Sequence, residues 1–238
     1  MPEFTALWEG GPQFAQAEHF KLGTDCVLLA DFVNSSGRKR GIDLGCASGA
    51  IALLLLWRSP GLHMTGLEIV EEAAKLAEEN MEKNSLQDRS RIICGDIRRH
   101  RELFKSGSFD LVAANPPYFP VERGKLSPDE KRSGARGELS CGLEDICAAA
   151  SYLCCTGGSF SVVYKPERLS ELFCAMTAHG LEPKRLRLVC HRADSAPSLA
   201  LVEGRRGGRP GLSALPSLIL TGPEGRETEE VLRIYHRI

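Results

Sequence analysis

The sequence predicts an α/β protein with a doubly wound sheet of seven strands, mostly parallel, with one antiparallel strand. Two observations lead to this fold class. From residue 41 onward, short apolar β-branched runs alternate with segments of helical periodicity, which is typical of parallel sheets. The last two runs of this series, 185–191 and 199–203, are separated only by residues 192–198. That stretch is too short for a helical crossover, so we expect these two strands to pair antiparallel.

The individual elements follow from local patterns. A helix that begins with Thr24 or Asp25 as its N-cap precedes the first strand. The helix over 71–83 has an apolar alanine-rich face, and Glu71–Lys75 is a favourable i,i+4 pair on the other face. The predicted strands are 41–44, 62–69, 91–94, 109–114, 159–164, 185–191, 199–203 and a final short one at 217–220; the remaining helices are 50–57, 143–154, 169–179 and 227–236.

Length and composition exclude several classes of protein. The chain has 238 residues, of which 42% are hydrophobic and 26% charged, an ordinary globular balance. The longest apolar run, 50–57, is far shorter than the ~18 residues that span a bilayer. The net charge is −1, so any nucleic-acid site must be a local patch. The nine cysteines form no C-x-x-C pair, which favours reduced, buried thiols and a cytoplasmic protein.

Acidic residues stand at the ends of three successive predicted strands. Asp43 ends the first strand and is followed by a turn that contains Gly45 and Gly49; Glu68 and Asp96 end the second and third strands. Ligands of open parallel sheets bind at the carboxyl ends of the strands, and an acid about twenty residues after a glycine turn is typical of ribose binding. These positions predict an adenosine-type ligand. The alternative is that the three acids only cap the helices that follow.

The fourth strand ends in Asn115-Pro116-Pro117-Tyr118. Two prolines hold the backbone rigid and remove two N–H donors. The side-chain oxygen of Asn115 and the carbonyl of Pro116 are then two acceptors at one point, which suits a planar –NH2 group, and Tyr118 offers a face for stacking. The alternative is a rigid turn after a strand. We predict Asn115, Pro116, Pro117 and Tyr118 as the catalytic group.

These motifs carry a resemblance to a known family. Gly23-Thr24-Asp25, Asp43-Leu44-Gly45, the Asn115 motif and Ala135-Arg136-Gly137-Glu138 occur in the order that is found in the bacterial tRNA1(Val) adenine-N6-methyltransferase family. The resemblance extends over roughly residues 14–238. It implies a Rossmann-like class I methyltransferase that uses S-adenosylmethionine and acts on RNA, with an anticodon-loop adenine of a tRNA as the target.

The resemblance also implies roles for single residues and a division of the chain. Segment 1–36 would pack over the cofactor site of a methyltransferase domain formed by 37–238, and no metal or membrane is expected to take part. One departure is Ala47, where the family usually has a second glycine, and we expect it to weaken cofactor binding. The residues expected to bind the cofactor are Lys21, Gly23, Thr24, Asp25, Asp43, Gly45, Cys46, Ala47, Gly49, Glu68, Ile69, Asp96, Ile97 and Asn115.

RNA binding is expected from local positive charge. Lys131, Arg132 and Arg136 are the favoured contacts because their loop follows the Asn115 motif. Other basic clusters lie at 38–40, 98–101, 184–187 and 205–209.

Other functions stay open at this point. The same four-residue motif also occurs in protein methyltransferases that act on a glutamine side-chain amide. A guanine or cytosine amino group in ribosomal RNA, or an adenine in DNA, is a further alternative target. A non-catalytic nucleoside-binding module is the remaining alternative, and Ala47 is its only support.

Overall fold

A computed structural model describes residues 2–16, 22–117 and 141–238. The chain begins with a short antiparallel hairpin, and the alternating segments that follow it build one central sheet. The strands are β1 (Thr5–Ala6), β2 (Gln13–Phe14), β3 (Arg40–Leu44), β4 (His63–Glu68), β5 (Ser90–Cys94), β6 (Phe109–Ala114), β7 (Cys154–Tyr164), β8 (Leu181–Cys190), β9 (Pro197–Arg206), β10 (Ser213–Ala214) and β11 (Leu218–Ile219).

Helices connect the strands of the sheet. In the described residues they are α1 (Thr24–Phe32), α2 (Ala50–Arg58), α3 (Glu71–Lys83), α4 (His100–Leu103), α5 (Leu143–Leu153), α6 (Leu169–Ala178) and α7 (Glu229–Ile234). None of these helices is long and apolar enough to cross a bilayer.

The topology of the sheet confirms the predicted fold class. The spatial order is β5-β4-β3-β6-β7-β9-β8, and β9 runs antiparallel to both β7 and β8. Every other pairing in this sheet that involves described residues is parallel. The seven expected sheet strands are extended by β10 and by β11, which corresponds to the predicted final strand at 217–220; both pair with the outer edge of β8. They cover main-chain groups that an edge strand would otherwise expose.

The core follows the period-two alternation of the strands. Leu111 and Ala113 of β6 face one hydrophobic layer, which is built with α1, α2 and the end of α3, whereas Val112 and Ala114 face a second layer with α5 and α6. The sheet is therefore buried on both faces, which explains why its strands are read as continuous apolar runs.

Some predicted boundaries were wrong for identifiable reasons. β7 begins at Cys154 instead of residue 159, because the chain passes through Gly157 and Gly158 without leaving the strand. β8 begins four residues earlier than expected, since Pro183 lies at a register shift where a lost N–H donor is tolerated. The N-cap of α1 is Gly23, without a side-chain hydrogen bond, instead of Thr24 or Asp25.

All nine cysteines are free thiols. Four of them are buried, whereas Cys94 and Cys174 are exposed, so the expectation of burial holds only in part.

Candidate active site

The strand register brings the predicted site residues to one edge of the sheet. Leu44 pairs with Leu67 and with Ala114, and Glu68 pairs with Cys94. Because these strands are parallel, the segments that follow them leave the sheet side by side. The loop after β3, the acid at the end of β4, the turn after β5 and the Asn115 motif after β6 therefore share this carboxyl edge.

The loop between β3 and α2 is a tight turn. Gly45 and Gly49 have φ angles of +74° and +81°, and Ala47 between them has +46°. The amides of Gly45 and Cys46 donate to the carbonyl oxygen of Leu67, at 2.8 and 3.2 Å. A Cβ atom on Gly45 would meet nothing closer than Ile97 Cδ1, at 4.0 Å, so the loop faces open space there. The loop thus forms a backbone-lined cradle beside Ile97.

Two other residues of the loop face inward. Cys46 is buried, and its Sγ would lie only 2.6 Å from a Cβ on Gly66, so its side chain packs against β4 and away from the cradle. A Cβ on Gly49 would lie 3.0 Å from Met81 Cε and 3.1 Å from Ala77 Cβ. Gly49 therefore permits the close approach of α2 and α3.

Glu68 ties the loop to the next strand end. Its buried carboxylate accepts from the amide of Ala47 at 2.8 Å and from the amide of Val70 at 2.9 Å. A carboxylate has about four acceptor positions, so Glu68 can accept further hydrogen bonds. Ile69, which follows it, is half-buried at the same edge.

Asp43 is the least satisfied polar side chain of the site. It is completely buried, and neither carboxylate oxygen has a hydrogen-bond partner among the described residues. Burial, followed by the negative charge of Glu68, raises the pKa of Asp43 to about 7, and the backbone near Ala52 offsets part of that rise. A buried carboxylate without a partner fits a site for a cationic group.

Asp96 behaves differently from Asp43. Its carboxylate accepts the backbone amide of Arg98 at 2.8 Å and pairs with the Arg98 guanidinium at 2.5 Å. The hydrogen bond from Arg98 lowers the pKa of Asp96. The capping alternative is thus seen at Asp96 and in part at Glu68, whereas Asp43 has only a weak interaction with the backbone of Ala52 in the first turn of α2.

The Asn115 motif follows β6 directly. Asn115 is half-buried, Pro116 is buried and Pro117 is exposed. Asn115 Nδ2 lies 3.2 Å from the Sγ atom of Cys26, in the first turn of α1. The start of α1, with Gly23, Thr24 and Asp25, is thereby placed beside the motif, and the charge of Asp43 acts on the Cys26 thiol as well.

One residue that sequence reasoning missed connects three parts of this region. Asn80 of α3 is completely buried; its Nδ2 donates to the carbonyl oxygens of Ala15 and Ser48, both at 2.9 Å, and its Oδ1 accepts the Ala15 amide at 2.7 Å. It therefore joins α3, the N-terminal segment and the loop after β3. Asparagine at helical spacing from Ala73 and Ala77, on the buried face of α3, was the available signal.

Several predicted residues lie outside the described residues. These are Lys21, Tyr118, Lys131, Arg132 and Arg136.

The other basic clusters have mixed surroundings. Arg98 and Arg99 pair with acids of their own turn, and Arg185 and Arg187 pair with Glu203 and Glu230. The cluster at 38–40 lies at the opposite edge of the sheet, where residues 33–39 and 58–62 line a cavity of about 620 Å³. That cavity is remote from the carboxyl edge.

The sequence of this chain is similar to those of known methyltransferases. A family model described as "Methyltransferase small domain" matches residues 14–127. Two similar proteins are named tRNA1(Val) (adenine(37)-N6)-methyltransferase. The one from Bacteroides thetaiotaomicron is 32% identical over 184 residues, 76% of this chain and 75% of the relative. The one from Tolumonas auensis is 31% identical over 183 residues, which are 76% of this chain and 75% of the relative.

Solved structures agree on the fold. A predicted O-methyltransferase from Agrobacterium tumefaciens superposes with a TM-score of 0.74 at 22% identity, over 90% of this chain and 96% of that one. Geranyl diphosphate C-methyltransferase from Streptomyces coelicolor, solved with S-adenosyl-L-homocysteine, superposes with a TM-score of 0.54 at 14% identity, over 76% of this chain and 78% of that one. At these identities the likeness establishes a class I methyltransferase fold. The sequence relatives, which are 30–32% identical over 76% of this chain, show that this chain belongs to the tRNA1(Val) (adenine(37)-N6)-methyltransferase family and is an N-methyltransferase.

Proposed function

We propose that this enzyme transfers the methyl group of S-adenosylmethionine to the N6 amino group of an adenine in the anticodon loop of a tRNA. The observation that carries the proposal is the placement of Asn115 at the same sheet edge as the cradle after β3 and the unpartnered carboxylate of Asp43. The names of the sequence relatives support the adenine of a tRNA as the target.

The methionine end of the cofactor would lie against the loop after β3. Its ammonium group is a cation that could satisfy the buried Asp43 carboxylate, and the open space at Gly45 admits a ligand close to the backbone. Cys46, Ala47 and Gly49 would contribute as parts of this loop, Cys46 through its backbone because its thiol faces β4. Lys21, Gly23, Thr24 and Asp25 are proposed to cover this end.

The adenosine end would lie across the next two strand ends. Glu68 keeps free acceptor positions for the two ribose hydroxyls, with Ile69 beside it. Asp96 and the amide of Ile97 are proposed to face the adenine ring. Both Asp96 oxygens accept from Arg98, so an adenine amino group would replace part of that pairing.

The chain's own residues would position the target amine. When bound, S-adenosylmethionine supplies a methyl group whose carbon is already a strong electrophile, because it is bonded to a positively charged sulfur. Asn115 Oδ1 and the Pro116 carbonyl would accept the two hydrogens of the amine, Pro117 would keep the turn rigid, and Tyr118 would stack on the base. Catalysis then rests on position and electrostatics, and the proton leaves to water. The base must be unstacked from its loop to reach this point, and Lys131, Arg132 and Arg136 are proposed to hold nearby phosphates.

Purified protein, labelled S-adenosylmethionine and unmodified tRNA transcripts test this function. We expect label in N6-methyladenosine by nucleoside mass spectrometry, and none when the target adenine is replaced by guanine. Ribosomal RNA, DNA and a release factor serve as parallel acceptors. Label in one of these and not in tRNA would contradict the proposed target.

Asn115→Ala should lower turnover by roughly 10²-fold, by analogy with the loss of one preorganised polar contact. Asn34→Ala, the same substitution at the opposite edge of the sheet, is the matched control and should leave turnover unchanged. Equal activity of the two variants would remove Asn115 from the mechanism.

A further inference from the structure

The thiol of Cys26 contacts the side chain at the centre of the proposed reaction. Cys26 lies in the first turn of α1, 89 residues away from Asn115 in the chain, and its Sγ is 3.2 Å from Asn115 Nδ2. Cys26 is half-buried. Burial first, and then the charge of Asp25, raise the pKa of Cys26 to about 12, so it is a neutral thiol at physiological pH. Its sulfur is therefore a constant acceptor for the Asn115 amide.

This contact favours one orientation of the Asn115 carboxamide over its rotated alternative. A carboxamide is a planar group in which the donor nitrogen and the acceptor oxygen are bonded to one carbon and point in different directions. With Nδ2 directed at Cys26 Sγ, Oδ1 is presented on the other side. The target amine is a hydrogen donor and needs that oxygen; a rotated carboxamide would oppose an –NH2 group with another –NH2 group.

We propose that Cys26 is a positioning residue that holds the acceptor oxygen of Asn115 toward the target amine. The inference rests on the proposed function for the reaction that it serves, but it concerns any amino substrate that Asn115 holds. It also gives α1 a role in the reaction beyond the packing of its apolar residues Leu28 and Leu29.

Three single variants separate this role from simple packing. Cys26→Ala removes the acceptor, Cys26→Ser keeps one, and Cys147→Ala removes a thiol from the core on the other face of the sheet. We expect Cys26→Ala to lower kcat about five- to tenfold, the equivalent of one hydrogen bond, with the KM for S-adenosylmethionine unchanged. Cys26→Ser and Cys147→Ala should stay within about twofold of the original kcat.

A double-mutant cycle shows whether Cys26 acts through Asn115. In the Asn115→Ala background, Cys26→Ala should cause no further loss of kcat. The same five- to tenfold loss in both backgrounds, or no loss in either, would overturn the proposal. The cycle is run on whichever amino substrate the enzyme methylates, so a wrong tRNA assignment does not affect its outcome.

A second readout needs no substrate. The side-chain NH2 signals of Asn115 in a ¹⁵N-labelled protein, assigned by their loss in Asn115→Ala, should shift in Cys26→Ala and stay in place in Cys147→Ala. An unshifted signal in Cys26→Ala would show that the thiol does not hold the carboxamide, and would overturn the proposal independently of any activity.

Discussion

Ala47 is a residue with a side chain in a backbone conformation that favours glycine. Its φ of +46° lies in the left-handed region, where a Cβ costs roughly 1 kcal/mol. Ala47→Gly should therefore raise the free energy of unfolding by about 1 kcal/mol and the Tm by about 2–4 °C. Thermal unfolding followed by circular dichroism measures this change.

The same substitution in a helix provides the control. Ala52 lies inside α2, where glycine is unfavourable, so Ala52→Gly should lower the free energy of unfolding by about 1 kcal/mol. A loss of stability in Ala47→Gly of the same size would mean that the turn does not need a left-handed residue there.

Asp43 should make cofactor affinity depend on pH. The pKa of Asp43 is about 7 in the folded protein, against an ordinary value of 3.8, so between these pH values the folded protein holds a proton that the unfolded chain has released. The contribution of Asp43 to stability is therefore greatest below the unfolded pKa and falls as pH rises through the folded pKa. A cationic ligand beside the carboxylate favours the ionised form, so its affinity should instead rise with pH in the same window.

Isothermal calorimetry with S-adenosylhomocysteine tests this dependence. The Kd should fall as the pH rises toward about 7, by at most tenfold per unit, and should level off above it, because a single proton is linked to binding. Asp43→Asn should bind more weakly and independently of pH, whereas Asp88→Asn, at an exposed position, should keep the original profile. A profile in Asp43→Asn that is as steep as the original would assign the proton to another group.

At the scale of the elements, Asn80 connects the N-terminal hairpin to α3. Asn84, one turn further on, repeats the arrangement by accepting the Gln13 amide at 2.8 Å and donating to the Gln13 carbonyl at 2.7 Å. The two side chains hold β2 and the residue that follows it against α3 much as a neighbouring strand would. The segment before α1 is thereby fixed to the same helix that supports the loop after β3.

Asn80→Ala would leave buried groups of Ala15 and Ser48 without partners. We expect a loss of about 2–3 kcal/mol in the free energy of unfolding and of about 5–10 °C in Tm. Urea unfolding measures the first quantity. Glu79→Ala, exposed on the same helix, should have little effect, and a Tm for Asn80→Ala equal to that of Glu79→Ala would show that these hydrogen bonds do not hold the hairpin.

The elements also show where sequence reasoning stops. The amphipathic α3 and the apolar strands were predicted because each pattern is local. The hairpin β1–β2 was not, because its two-residue strands depend on asparagines far away in the chain. The contact between Cys26 and Asn115 was missed for the same reason: it joins positions 89 residues apart. The positions of Asp43, Glu68 and Asn115 at one edge could be predicted, since parallel strands bring their carboxyl ends together.

At the scale of the whole molecule, a ligand that binds only the folded protein stabilises it by mass action. S-adenosylhomocysteine at about 100 times its Kd should add about 2.7 kcal/mol and raise the Tm by about 5–10 °C. ATP, which has the adenosine but not the amino-acid end, should give a much smaller shift. Equal shifts with the two ligands, measured by differential scanning fluorimetry, would contradict a site built around the Asp43 carboxylate.

The insertion of β9 between β7 and β8 has a consequence for how the protein is made. β7 and β8 are both synthesised before β9, yet neither pairs with the other in the final sheet. As the nascent chain leaves the ribosome, β7 lacks its second neighbour until residues 197–206 have emerged. This delay leaves an apolar strand edge open late in translation, when aggregation competes with folding.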